Sequence, residues 1–269
     1  PGSMPLALTG CLMNILNELF GVEGKRVLVT GGNRGIGQSI AEGFVKAGAR
    51  VYICARDAAL CEEVAQSLKA HGHCLALPGD LSSAEGRRRL AEDLGRHEQA
   101  LDVLINNAGA LWAAPIADYP EAGWDKVFDL NVKGAFFLVQ ALLPMLKAAA
   151  TAGNPARIIN VGSINALRIP KHETYAYTAS KAALHNLTRH LASQLAPFHI
   201  TANVLAPGLF PSKMQEASIR TKGMDALVEP IPLKRMAGAA DMAGTAIYLA
   251  SRAGRSEERR VGKECEDLC

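Results

Sequence analysis

Short apolar runs alternate with helical stretches along most of this chain, which restricts it to an α/β fold built on a parallel sheet. The run KRVLVT at 25–30 reads as a buried strand, because charge precedes its apolar residues and glycine follows them. IGQSIAEGFVKAGA reads as the next helix and RVYICA as the second strand. Further strands are expected in HCLALPGD, ending at Asp80, and in LDVLINNAG, ARIINVGS and ITANVLAPG, the last broken by Pro207 and Gly208. The helices between them fall on AALCEEVAQSLKAHG, with Leu60, Val64 and Leu68 on one face, then about Ser83 to His97, 121 to 150, and a last stretch ending near 196. Right-handed crossovers then give a single Rossmann-type doubly wound parallel sheet with helices on both faces.

With 269 residues, 49% of them hydrophobic, the chain can bury one large core. A net charge of +3 from scattered lysines and arginines offers no basic stripe, so nucleic acid is not an expected partner. The six cysteines form neither CxxC pairs nor a regular framework, which points to a reducing, cytoplasmic compartment and to no metal site. Cys54, inside an apolar strand run, reads as a core residue. Near the start, Leu12, Ile15, Leu16, Leu19 and Phe20 fall at helical spacing on one face, as in a short helix packed on the domain. No other stretch approaches the roughly 20 apolar residues of a membrane span.

TGGNRGIG, Thr30 to Gly37, joins the first strand to the first helix. Gly31, Gly35 and Gly37 let the backbone turn tightly around a pyrophosphate, and with Asn33, Arg34 and Ile36 they form a candidate cofactor loop at a helix N-terminus. Such folds often end their second strand in an acid that binds the adenosine ribose. Here that strand ends Cys54-Ala55-Arg56. A neutral residue in the acid's place, beside Arg56 and Arg34, favours a ribose 2′-phosphate and hence NADP(H) over NAD(H). Asp57 stands one residue later, where it can cap the following helix.

TYAYTASKAAL, at 174–184, carries two tyrosines beside one lysine. On a helix Tyr177, four residues before Lys181, shares its face, whereas Tyr175, six before, is turned away. If the segment is a site, Tyr177 is its phenol.

Taken in order, the glycine loop, NNAG at 106–109, Asn131 in DLNVKG, Gly162-Ser163, YTASK and APG at 206–208 resemble the short-chain dehydrogenase/reductase family over residues 25 to about 252. The resemblance implies a dinucleotide-binding catalytic domain over 25–254. It makes Tyr177 the general acid for a carbonyl oxygen, Ser163 the hydroxyl that orients that oxygen, Lys181 the partner of the nicotinamide ribose, and Asn131 the holder of a relay water. Asn107, Ala108 and Gly109 would line the cofactor, Asp80 and Leu81 would flank adenine, and Pro207 and Gly208 would border the nicotinamide. The Lys181 ammonium is expected to draw the phenol down by about three units, roughly 4 kcal/mol. Tyr175 then becomes a wall or packing residue.

Within the family, the run through NVLAPGLFPSKM is most similar to bacterial 3-oxoacyl reductases of the rhamnolipid-biosynthesis type. That implies reduction of a small-molecule ketone or acyl thioester. A lid over about 208–236 would supply Leu209, Phe210, Met214, Ile219, Met224, Leu227 and Val228 as apolar cover. Phe137 and Phe198 align with arginines that bind acyl carrier protein in housekeeping relatives, so a carrier-bound substrate is not implied. A polyol, sugar-alcohol or other secondary-alcohol dehydrogenase is the alternative, and a catalytically silent NADPH-binding protein a further one. Family members usually form dimers or tetramers, through the helices at 121–150 and 176–196 and through the last strand.

At the ends, residues 1–3 read as a cloning scar and 4–24 as a helical arm. The family's last strand should follow DMAGTAIYLASRAG, but RSEERRVGKECEDLC has no apolar alternation. Arg255 to Cys265 resembles the conceptual translation of a sequencing adapter, so 255–269 is expected to be a non-native tail and the last strand missing.

Overall fold

The computed structural model describes residues 15–170, 172–211, 220 and 223–256. The expected Met214 and Ile219 of the lid, and all of the tail beyond 256, lie outside these residues. Six parallel strands run β1 (Arg26–Thr30), β2 (Arg50–Cys54), β3 (Cys74–Ala76), β4 (Val103–Asn106), β5 (Ala156–Val161) and β6 (Ile200–Leu205), ordered β3-β2-β1-β4-β5-β6. The order reverses between β1 and β4, and a crevice at the carboxyl ends of the strands opens at that switch point.

The helices are α1 (15–20), α2 (Gly35–Lys46), α3 (Ala58–Leu68), α4 (Ala84–His97), α5 (Glu121–Phe128), α6 (Ala135–Ala149), α7 (Tyr175–Leu195), α8 (Met224–Val228) and α9 (Ala239–Ala250). Strand side chains alternate between two apolar layers. Val27, Val29, Val51 and Ile53 face Ile40, Phe44, Val64 and Met242 of α2, α3 and α9, whereas Leu28, Tyr52 and Leu104 face Leu90, Leu94, Leu138, Leu142 and Leu191 of α4, α6 and α7.

Three expectations need correction. β3 stops at Ala76 rather than Asp80; the Leu77 and Gly79 amides still reach the Ile53 and Ala55 carbonyls, and Pro78 between them falls on the open sheet edge, where its missing N–H costs no ladder bond. In α1, Ile15, Leu16 and Phe20 are exposed rather than packed on the domain. Its far end is tied down by the Ala253 amide on the Leu19 carbonyl and by an Arg252–Glu18 ion pair. Finally, one stretch does reach span length, since the helix expected over 121–150 runs continuously from Glu121 to Ala149, 29 residues long and apolar enough to pass for a membrane span by composition. Its Leu138, Val139, Leu142 and Leu146 pack on the sheet, and a π turn at Asp129–Gly134 interrupts its ladder.

Arg157, on β5, is fully buried and makes no ion pair among the described residues. It donates to the Leu249 and Ser251 carbonyls at 3.1 Å each and to the Pro155 carbonyl. Arg157 thereby meets the orphan carbonyls and negative dipole at the end of α9 with its charge. Burial brings its pKa down to about 10.

Candidate active site

The glycine loop is clasped from beneath by the start of the β4 turn. Thr30 Oγ1 donates to the Ile105 carbonyl and accepts from the Asn107 and Ala108 amides at 3.0 Å. Asn107 Nδ2 donates to the Thr30 and Gly31 carbonyls at 2.9 and 3.1 Å. Gly31 has φ +63°, and a Cβ on Gly37 would stand 2.2 Å from the Gly31 oxygen, so only glycine fits this turn. Asn107 thus fixes the loop's shape, with its amide turned to the loop backbone.

Arg34 precedes α2 in extended backbone without capping it, and the first turn holds no acid, leaving free N–H groups and the positive helix end. Asn33 is buried, while Gly35 and Ile36 are half-buried as the helix begins. At the end of β2, Ala55 is half-buried and Arg56 exposed. Neither Arg34 nor Arg56 makes an ion pair with a described residue. Asp57 caps its own helix, accepting from the Leu60 amide at 3.1 Å. Asp80 accepts from the Ser82 amide and hydroxyl. Partial burial raises the Asp80 pKa, but those bonds and the Arg56 charge outweigh it and leave it lowered. Leu81 is buried and its carbonyl accepts from Arg87 at 2.7 Å, so its side chain belongs to the core. A free helix N-terminus, a glycine turn and two unpaired guanidiniums fit a dinucleotide bearing a 2′-phosphate.

The second half of the crevice gathers the remaining candidates at the ends of β4, β5 and β6. Ser163 Oγ accepts from the Asn165 amide at 3.1 Å, and its hydroxyl is close enough to the Tyr177 phenol to oppose the upward push of burial on that group. Lys181 Nζ lies 5.7 Å from the Tyr177 ring centroid and donates to the Val161 carbonyl at 2.7 Å. A Cβ placed on Gly109 would lie 3.3 Å from Asn131 Oδ1 and 3.8 Å from Lys181 Nζ, so these two side chains approach Gly109 together. The Pro207 carbonyl accepts from the Ile164 amide at 3.1 Å, which ties the β6 turn, with exposed Gly208, to the Ser163 turn. Tyr175 is partly exposed and packs edge-on against Tyr119 at 5.8 Å.

One chemical expectation changes. Burial pushes the Tyr177 phenol up, opposed by Ser163, and burial alone lowers Lys181 to about 8. The ammonium is turned to a carbonyl rather than to the phenol oxygen, so desolvation outweighs its pull. Asn131 has no amide hydrogen left for a relay water, since Nδ2 donates to the Ala110 carbonyl and Ser180 Oγ while Oδ1 accepts from the Ala110 amide.

Phe137 sits early in α6 beneath the Arg87 guanidinium, and Phe198 carries Lys147 Nζ 3.5 Å above its ring. Phe198 immediately precedes β6, so it lies at the opposite end of the sheet from Ser163. Phe210 is buried in the core beside Met242 rather than serving as lid cover. The Ala237 amide bonds the Leu209 carbonyl at 3.0 Å and closes the base of that segment. Sequence reasoning missed Thr30, Ser180 and His185. For His185 a signal was present, since it stands one turn beyond Lys181 on the same helix face.

A family model described as short chain dehydrogenase matches residues 25–223. The Pseudomonas aeruginosa rhamnolipids biosynthesis 3-oxoacyl-[acyl-carrier-protein] reductase is 48% identical over 240 residues, covering 89% of this chain and 94% of that protein. The solved Pseudomonas aeruginosa RhlG/NADP active-site complex superposes with a TM-score of 0.86 at 48% identity, over 89% of this chain and 94% of that one. A Bacillus subtilis 2-dehydro-3-deoxy-D-gluconate 5-dehydrogenase is 34% identical over 90% of this chain and 93% of its own length. Strand order, glycine loop and family match agree, and the chain belongs to the short chain dehydrogenase family.

Proposed function

We propose that this chain is an NADPH-dependent reductase that transfers a hydride to a ketone, with a 3-oxoacyl thioester or a related apolar carbonyl as substrate. The observation that carries the reading is the gathering of buried Ser163 and Lys181 around the half-buried Tyr177, with the serine hydroxyl close enough to favour the phenolate and the ammonium one helical turn along. The nicotinamide, when bound, supplies the hydride. The phenol of Tyr177 donates its proton to the carbonyl oxygen, Ser163 orients that oxygen, and Lys181 offers positive charge as the phenolate forms. Arg34 and Arg56 hold the 2′-phosphate by charge-assisted hydrogen bonds.

The 48% identity to a 3-oxoacyl reductase supports the acyl substrate. So does the apolar rim beyond Ser163, where Leu167 and Ile169 are exposed, Ile169 at 97%. The sugar-acid relative at 34% keeps a polyol or sugar-alcohol substrate as the second reading. Following NADPH consumption with 3-oxoacyl thioesters of graded length, beside sugar and sugar-acid ketones, tests the two. Turnover confined to the sugar series overturns the acyl reading, and cofactor binding without turnover of any ketone points to a catalytically silent protein.

Exposed Trp124, Phe136 and Phe137 along α5 and α6 support a homo-oligomer assembled through that layer. The free, buried thiols of Cys54, Cys61 and Cys74 suit a reducing cytoplasm.

A further inference from the structure

Three polar side chains on the inner face of α7 are fastened to β5 and the turn that follows it. Lys181 donates to the Val161 carbonyl, Thr188 Oγ1 accepts from Asn160 Nδ2 at 2.8 Å, and His185 Nε2 accepts from the backbone amide of Ser163 at 3.4 Å. Only the last reaches a residue that the proposed chemistry uses. His185 is 5% exposed, and its ring is pressed so closely on the turn that a Cβ on Gly162 would stand 2.1 Å from Nε2. Ser163 is itself buried, so its amide needs an acceptor.

Resting on the reductase reading above, we infer that His185 is a positioning residue for Ser163. Its neutral ring accepts the Ser163 N–H and packs under Gly162, which sets the height and direction from which the Ser163 hydroxyl meets Tyr177. The ring must therefore carry its proton on Nδ1, which is buried without a hydrogen-bond partner among the described residues, and remain uncharged, because an imidazolium has no acceptor. Burial, then the Lys181 and Arg189 charges, hold its pKa down to about 4, in keeping with that state.

Nitrogen chemical shifts of the histidine-labelled full chain, assigned with His185→Gln, test the contact directly. A neutral Nδ1–H ring at pH 7 that is still neutral at pH 5.5 supports the proposal. A proton on Nε2, or titration near the ordinary value of about 6.5, overturns it, whether or not any ketone is turned over.

Kinetics with acetoacetyl-CoA and saturating NADPH then compare His185→Leu, which cannot accept, with His185→Gln, whose amide oxygen can. The expected result is a fall in kcat of about tenfold or more for Leu, with NADPH affinity unchanged and Gln within about threefold of the parent. Equal behaviour of the two variants, whether both near the parent or both equally impaired, overturns the positioning role. Gly162→Ala covers the case of a Leu variant that does not fold. The added methyl should displace the turn and lower kcat with little change in KM, and parental kcat in that variant counts against the proposal. A parent that reduces no ketone refutes the reductase reading alone, and the nitrogen shifts still decide the contact.

Discussion

Lys181 Nζ donates a 2.7 Å hydrogen bond to the Val161 carbonyl, one of the contacts that fasten α7 to β5, the strand that leads to Ser163. This bond holds an amine in the interior with no carboxylate partner among the described residues, at a position where burial lowers its pKa to about 8. A cation kept in that state disfavours folding and is available to stabilise an anion formed beside it.

Replacing Lys181 by Met should therefore abolish reduction yet help folding at neutral pH. The depressed folded-state pKa means that the stability linked to this group is fully present above the unfolded value near 10.4 and is lost as pH falls through about 8. The advantage of the Met variant in denaturant midpoint should be largest at pH 7 and shrink as pH rises from 8 toward 10.5. The full span is worth on the order of 3 kcal/mol, reduced by the Val161 carbonyl left without its donor. A gap independent of pH would contradict the assignment.

Tyr177→Phe removes the proton donor and leaves the ring in place. Reduction should drop by about 10²- to 10⁴-fold while NADPH titration is nearly unaffected. Tyr175→Phe, two residues away but facing Glu173 and Tyr119, should keep activity within about threefold of the parent.

Arg34→Ala with Arg56→Ala should weaken NADPH by about 10²-fold or more and leave NADH affinity almost unchanged, since each of the two charge-assisted bonds contributes about 1.5–3 kcal/mol. Ala55→Asp should push the preference further toward NADH. Equal loss for both cofactors in a binding titration would remove the 2′-phosphate argument.

Arg157→Ala should be among the most destabilising single changes outside the active site, at about 2–4 kcal/mol. It strands the Leu249 and Ser251 carbonyls at the end of α9 and opens a buried space on β5. Urea denaturation measures it, and a loss below about 0.5 kcal/mol would show that water replaces the guanidinium freely.

Acid should act through His185. Its folded-state pKa, held near 4 by burial and by the Lys181 and Arg189 charges, lies below its unfolded value. The linked stability is complete above about pH 6.5 and lost progressively as pH falls toward 4, up to about 3 kcal/mol. Thermal midpoints of the His185→Gln variant should fall less over that window than those of the parent.

Sheet and helix positions were legible because they depend on local pattern. Apolar runs of strand length, the Thr30 to Gly37 turn and the four-residue spacing of Tyr177 and Lys181 each write their geometry into adjacent residues. Asp57 was placed correctly as a cap for the same reason, since a cap and its helix are neighbours in the chain.

What a side chain spends its hydrogen bonds on was not legible, because the partners stand far away in sequence. The Ala110 amide and carbonyl, together with Ser180, take the Asn131 carboxamide; Val161 takes the Lys181 ammonium; Leu249 and Ser251 take the Arg157 guanidinium. The exposed face of α1 belongs here too, since periodicity shows that a helix has an apolar side but not whether anything lies against it. Amino-acid order by itself determined the secondary elements, the phosphate loop and the family, all set by short-range sterics and hydrophobic period. Only tertiary packing decided the charge state and orientation of Tyr177, Lys181 and His185, because desolvation depends on everything that closes around a group.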